Sequence, residues 1–309
     1  MTRRMMGLIA GLLAVSASAA PKKKAPAASA AAAPAPAAAA KKLADGVWAM
    51  TTKGGANAGW FTFGDAVVAV DSGRSVADGE ALLAAISATT GRKKVAYLIL
   101  TNDFGPHAGG ASAFARAGAT IVTHEDFVGA VQGLVTPPAP RKGPGVSIAG
   151  IGTRLVLSRP ERHVVIRHLG PADSAGDLAV LLAEDKIVFA GDLVEAYLLP
   201  PLFSKSIDPD GWVAALGTLA ALHPVAVVPG YGPIGPPESI AVTREYLSRT
   251  IEIARALVES NTPENAFEMR LNEPDMKIPG LPDELKRSHE ANVKALVARL
   301  KAAGAPPKN

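Results

Sequence analysis

An α/β fold class is predicted for this chain by three features. Strand-length apolar runs alternate with helix-length amphipathic ones. One of those runs, Val95 to Leu100, has no polar break, as expected of a strand covered on both faces, and it passes through a short polar loop into the helix-like Ala111 to Ala117. About 267 residues follow Lys42, ample for one large domain with its own core, and neither an internal boundary nor a repeat divides them.

Arg3 and Arg4 precede an apolar stretch from Met5 to Val15 and then small residues, Ser16 to Ala20, which is the pattern of a secretory signal peptide. Cleavage is expected after Ala19, so residues 1–19 form the signal segment. Its apolar core is short for a bilayer span, and the expectation is a periplasmic or secreted protein with no transmembrane span in its mature form. Residues 20–42 are Ala, Pro and Lys with no aromatic residue, a disordered linker in composition. The chain contains no cysteine, which excludes disulfides, thiolate ligands and lipid attachment at an N-terminal cysteine. The first 42 residues hold seven of the 32 Lys and Arg and none of the 28 Asp and Glu, leaving 25 against 28 in the remainder. The basic balance therefore belongs to the N-terminus, and the globular part offers no electrostatic case for nucleic acid.

Val47–Met50, Ala58–Phe63 and Ala66–Asp71 read as three strands punctuated by Gly54, Gly55, Gly59 and the Gly64-Asp65 turn. Ser75–Thr89 reads as a helix with Val76, Leu82, Leu83 and Ile86 on its apolar face. The chain turns polar at Thr101 after the Val95 strand, which places Asn102, Asp103 and His107 beyond the strand's carboxyl end, where open α/β sheets tend to hold ligands. Thr120–Thr123 is a strand, and His124, Glu125 and Asp126 open a helix whose first turn the two acids suit. Gln132–Ser147 reads as a loop broken by Pro137, Pro138, Pro140 and Pro144. Arg154–Leu157, Val164–Leu169, Ala179–Leu182 and Ile187–Ala190 follow as strands; Asp210–Leu222, Glu238–Ser260 and Asp283–Ala303 follow as helices, the last two a candidate C-terminal cap.

Five stretches, in order, resemble motifs of the metallo-β-lactamase superfamily. They are Val68–Gly73 (VAVDSG), Leu100–Gly110 (LTNDFGPHAGG) against L-T-H-x-H-x-D-H-x-G-G, Leu169–Leu178 (LGPADSAGDL) against G-x-x-H-T-x-G-D, Phe189–Asp192 (FAGD), and Val227–Pro233 (VVPGYGP) against V-x-P-G-H-G-P. The resemblance spans about 43–237 and implies a four-layer αββα sandwich, so residues 43–309 are expected to form one domain with a core over 43–237 and a helical part over 238–309. In that family the aspartate matching Asp71 supports the metal loop through hydrogen bonds. The ligand positions fall on Asn102, Phe104 and Asp173 for one metal and on Pro106, His107 and Tyr231 for the other, with Asp192 between them.

Phenylalanine and proline side chains carry no donor atom, and an amide is a poor zinc ligand. His107 and Asp192 are the best residual ligands, and two ligands do not readily hold zinc. The expectation is a degenerate metal centre, no cofactor, and a non-hydrolytic binding or accessory protein whose ligand is a small molecule or a protein. The rival expectation is a hydrolase of the same superfamily. Its site would be a rebuilt mononuclear one, zinc or iron held by His107, Asp192 and either Asp173 or Tyr231, or a metal-free acid/base centre with His107, Asp173 and Asp192 as candidate catalytic groups.

Overall fold

A computed structural model describes residues 39–92, 94–135, 145–196, 199–202, 204 and 206–304. The signal segment, nearly all of the linker and the four prolines of the 132–147 stretch lie outside the described residues.

The chain opens with four strands, β1 (Lys41–Ala44), β2 (Val47–Thr51), β3 (Asn57–Phe63) and β4 (Ala66–Val70), then α1 (Val76–Thr90) and β5 (Val95–Ile99). Next come α2 (Gly105–Ala108), α3 (Ala111–Arg116), β6 (Thr120–His124), α4 (Val128–Val135) and β7 (Ile148–Ile151). The second half runs β8 (Arg154–Arg159), β9 (Arg162–His168), β10 (Leu178–Leu182), β11 (Ile187–Glu195), α5 (Pro209–Ala220), β12 (Ala226–Tyr231), α6 (Glu238–Glu259), α7 (Phe267–Arg270) and α8 (Lys286–Ala302).

Strands β1 to β7 form one sheet in chain order, antiparallel as far as β4 and parallel from β4 to β7. The other sheet runs β12-β11-β10-β9-β8, antiparallel except where β11 pairs with β12. Both sheets turn an apolar face inward, where Phe61, Val68, Ile99 and Val122 meet Val164, Ile166, Val180, Phe189 and Val228. The rings of Phe61 and Phe189 lie 6.2 Å apart across this layer. Each such side chain, taken out of water, contributes roughly 1.5–3 kcal/mol.

The outer faces are covered by helices. Trp60, Leu98 and Ile121 of the first sheet pack with Leu82, Ile86, Phe114 and Val131, and Val188, Leu193 and Val227 of the second pack with Trp212, Leu216, Leu247, Leu257 and Val293. The result is the four-layer αββα order. α1 illustrates how the local sequence fixes an element: the Ser75 hydroxyl caps its start by accepting from the Asp78 N–H, Gly91 closes it with φ 67°, and Leu82 and Ile86 face the sheet at i, i+4. Val76, expected on that apolar face, is exposed at the first position of the helix.

Three expectations are corrected. β1 begins at Lys41, inside the stretch read as linker, because pairing with β2 orders a segment whose composition is linker-like. The 132–147 stretch is helical as far as Val135, where Val131 and Val135 bury against the first sheet, and at Ile148 it re-enters that sheet as β7 beside β6. The strand read as Ile187–Ala190 continues to Glu195 through a register shift at Gly191 (φ 52°).

Candidate functional site

The first and second motif stretches, which follow β4 and β5, meet the fourth, which lies in β11. Asp71 follows β4 in a left-handed conformation, φ 61°, which aspartate tolerates better than most residues. Its Oδ1 accepts from the Thr101 N–H at 2.8 Å and the Thr101 hydroxyl at 3.0 Å, tying the end of β4 to the end of β5.

Beyond Thr101 the loop folds into the single turn α2. Pro106 stands in its first turn, where a missing N–H leaves no helical bond unmade, so a proline enters this loop without breaking it. The Ser72 N–H and hydroxyl both donate to the His107 carbonyl, at 2.7 and 2.8 Å. His107 is fully buried. Its Nδ1 lies 2.9 Å from Asp71 Oδ2 and its Nε2 2.8 Å from Asp192 Oδ1. The Asn102 amide donates to Asp192 Oδ2 at 2.9 Å, and its carbonyl accepts the Phe104 N–H at 3.0 Å. Gly230 admits this packing: a Cβ there would stand 2.3 Å from Asp192 Oδ1. The Tyr231 ring meets the His107 ring edge-on, with centroids 5.7 Å apart.

An ionised carboxylate only accepts hydrogen bonds, so a ring held between two of them presents N–H on both sides and is an imidazolium. Burial alone favours the neutral ring, but Asp192 and Asp71 outweigh it and raise the His107 pKa well above 6.5. Burial likewise works against the Asp192 charge, yet His107 and the Asn102 amide hold its carboxyl below the ordinary carboxylate range.

The other predicted positions are separate from this set. Phe104 is 61 % exposed at the rim, and Pro106 is buried. Asp173 has no hydrogen-bond or ion-pair partner among the described residues; burial and the neighbouring Asp192, Asp177 and Glu195 push its pKa up to about 9. Asp177 closes its own turn by accepting from the Ser174 N–H and hydroxyl, and burial lifts it to about 6. His124 accepts the Asp126 N–H as a cap, 4.5 Å from the His168 ring.

Sequence reasoning missed Glu195. It ends β11 at 8 % exposure, and burial, with Asp192 nearby, raises its carboxyl to about 8. The available signal was an acid closing an apolar run that continues past Asp192. Glu195, Asp173, Asp192, Asp103, Asn102 and Tyr231 line a cavity of about 680 Å³, and Phe104, Leu199, Pro201, Ile207 and Leu285 supply apolar wall. Leu285 and Ser288 bring the C-terminal part to this rim. Asn292 of α8 holds the wall loop, accepting the Leu202 N–H at 2.9 Å and donating to the Pro200 carbonyl at 2.8 Å.

A sequence profile of the metallo-beta-lactamase superfamily matches residues 51–231, more than half of the chain. The chain belongs to the metallo-beta-lactamase superfamily. Solved structures of metallo-beta-lactamases share its fold. The enzyme from Pontibacter korlensis is 23 % identical, with a TM-score of 0.57, covering 68 % of this chain and 98 % of that one. The mono-zinc form of FIM-1 from Pseudomonas aeruginosa is 19 % identical, with a TM-score of 0.57 and coverage of 71 % and 97 %. The Erythrobacter litoralis enzyme, solved with beta mercaptoethanol in its active site, is 18 % identical, with a TM-score of 0.54 and coverage of 68 % and 95 %. No curated protein matches the chain significantly in sequence.

The donor set of this metallo-beta-lactamase-fold chain does not fit the metals that its superfamily implies. Phe104 and Pro106 offer no donor atom, both His107 nitrogens are engaged by carboxylates, and the Asn102 amide is bound at both ends. Among the described residues, no three His, Cys, Asp or Glu side chains gather so as to hold a metal ion. The His107 imidazolium instead supplies positive charge between Asp71 and Asp192.

Proposed function

We propose that this chain is a non-hydrolytic member of its superfamily, a pseudoenzyme that binds a small molecule or serves as an accessory to a protein partner. The observation that carries this reading is the closed set Asp71–His107–Asp192–Asn102. Both ring nitrogens of His107, and both the nitrogen and the oxygen of the Asn102 amide, have a protein partner, so a metal or an attacking water would have to break existing hydrogen bonds to enter. The adjoining cavity is intact, roomy and walled by apolar side chains, as a binding site requires.

Elemental analysis of the purified protein, after exposure to zinc and to iron, tests the reading. The expected result is no stoichiometric metal, and a metal bound one per chain and lost in Asp192→Ala would replace the proposal with the rebuilt mononuclear centre. Replacing Asn102, Phe104, Asp173 and Tyr231 by His and Pro106 by Asp is expected to restore metal uptake.

Metal-free acid/base hydrolysis has one observation on its side: Asp173 and Glu195 keep their protons near neutral pH beside the ionised Asp192. Against it, His107 has no access to the cavity and Asp192 is held by two donors. Ester or amide turnover abolished by Asp173→Asn would establish this second reading.

Export is the other half of the proposal, and it rests on Arg3, Arg4 and the apolar stretch after them. No helix among the described residues is long and apolar enough to cross a membrane. A periplasmic or secreted chain whose measured mass begins at Ala20 is the expected result, and an intact Met1 in a cytoplasmic fraction would refute it.

A further inference from the structure

The cavity beside β11 has a built-in imbalance. Four carboxyl side chains, Asp103, Asp173, Asp192 and Glu195, line it, and no Lys, Arg or His does so among the described residues. Asp192 is fully engaged by His107 and Asn102, but Glu195 is not. It is 8 % exposed, stands at the end of a nine-residue buried strand, and its carboxyl group has no hydrogen-bond or ion-pair partner among the described residues. Buried polar groups in folded proteins are paired as a rule, so a carboxyl left open toward a cavity points to a partner that comes from outside. Leu199, Pro201, Ile207 and Leu285 of the same cavity offer hydrocarbon.

This combination selects among ligand classes. An anion would meet four carboxyls and no compensating base. A neutral apolar ligand would cover the wall and leave Glu195 and Asp173 without partners. A bare inorganic cation would leave the wall in water, and the acids do not converge closely enough to replace its hydration shell. A cation with several N–H donors on an apolar frame satisfies both ends, and the Phe104 and Tyr231 rings at the same cavity suit a cation as well.

We propose that the cavity binds an organic ammonium ligand, its charged head against Glu195 and Asp173 and its hydrocarbon along Leu199, Pro201, Ile207 and Leu285. This rests on the binding reading above and names its ligand class; burial keeps the two carboxyls protonated in the empty cavity, and a carboxyl that receives the ammonium gives up its proton to solvent as the ligand enters.

Calorimetric titration with three probes of one length, hexylamine, hexanoate and hexanol, tests the charge. The ammonium is expected to saturate one site at least about tenfold more tightly than either of the others, the difference expected of a charged hydrogen bond. Glu195→Gln, nearly isosteric and free of the buried acid, is expected to bring hexylamine to the level of hexanol while the melting temperature holds or rises. Leu199→Ser is expected to weaken hexylamine while leaving methylamine unchanged, which separates the wall from the head. Equal binding of the three probes, hexylamine binding unaltered by both Glu195→Gln and Asp173→Asn, or no saturation in the millimolar range would overturn the proposal. Tighter binding of hexanoate or hexanol would remove the ligand class and leave the binding reading standing. Stoichiometric zinc at the same carboxylates without hexylamine binding would remove both.

Discussion

Two groups of acids lie side by side at the carboxyl ends of the strands, and the fold treats them in opposite ways. Asp71 and Asp192 are buried and fully satisfied, with the His107 ring between them and Thr101 and Asn102 donating from the flanks. Glu195 and Asp173 are burdened by burial, have no donor of their own, and face a cavity. The first arrangement is architecture: it joins β4, β5, α2 and β11 through one ring. The second is an unfilled demand for donors, which is the chemistry of a site that receives something.

The largest expected effect comes from removing the cation of the first group. His107→Ala leaves two carboxylates facing each other across a buried gap, and breaking a buried pair in this way destabilises by about 3–5 kcal/mol. Urea unfolding measures it. A loss below about 1 kcal/mol, the range of an exposed pair, would mean that the ring is not the charge that holds the strand ends together.

The wall of the second group is pinned from the helical cap. Asn292 is 2 % exposed and bonded to Leu202, Pro200 and the Tyr246 hydroxyl. Asn292→Ala leaves buried peptide groups unpaired and is expected to lower stability by about 1–3 kcal/mol. Faster amide exchange at Leu202 would accompany it, and unchanged exchange would show that the loop keeps its place without α8.

The two groups also separate by pH. A carboxyl whose folded pKa is raised binds its proton more tightly folded than unfolded, so its contribution is complete below the unfolded value and is lost as pH rises through the folded one. Glu195 moves from 4.5 to about 8 and Asp173 from 3.8 to about 9. His107, also raised, follows the same sign, losing its contribution as pH passes its folded value. Asp192, lowered, gives stability that is lost only as pH falls below the ordinary carboxylate range. The melting temperature is therefore expected to fall between about pH 5 and about pH 9. Glu195→Gln is expected to flatten that fall, leaving the variant about 1–2 kcal/mol more stable than the parent at the alkaline end. Parallel curves for the two proteins would mean that the Glu195 carboxyl is solvated or paired.

How far the sequence reached follows the same division. The fold was legible because its determinants are local or repeated: the apolar run of β5, the Ser75 and Gly91 caps of α1, and five motifs in order. Asp71, Gly191, Asp192 and Gly230 were legible because the turn and the close approach at the strand ends constrain what can stand there. β1 and β7 were not, since KKLA and IAGI become strands only through partners distant in the chain. Glu195 escaped for a related reason: β11 runs on past the Gly191 shift because β12 continues beside it, and that pairing alone brings the acid to the cavity. Nor does any spacing announce that both nitrogens of His107 are engaged, a fact of three dimensions.

The smallest expected effect falls on the residue whose chemistry first invites a ligand role. Tyr231 occupies the last motif's ligand position and touches His107 only through ring edges; its hydroxyl has no hydrogen-bond partner among the described residues. Burial, with Asp192 nearby, raises its pKa, which keeps the phenol protonated and unsuited to bind a metal as phenolate. Tyr231→Phe keeps the ring contact and removes only the hydroxyl, so the change in stability is expected to stay within about 0.5 kcal/mol, with metal content unaltered. Were the hydroxyl a ligand or a base, its removal would change metal uptake or turnover while the fold held. The same substitution thus separates a side chain that packs against the closed set from one that works in the cavity.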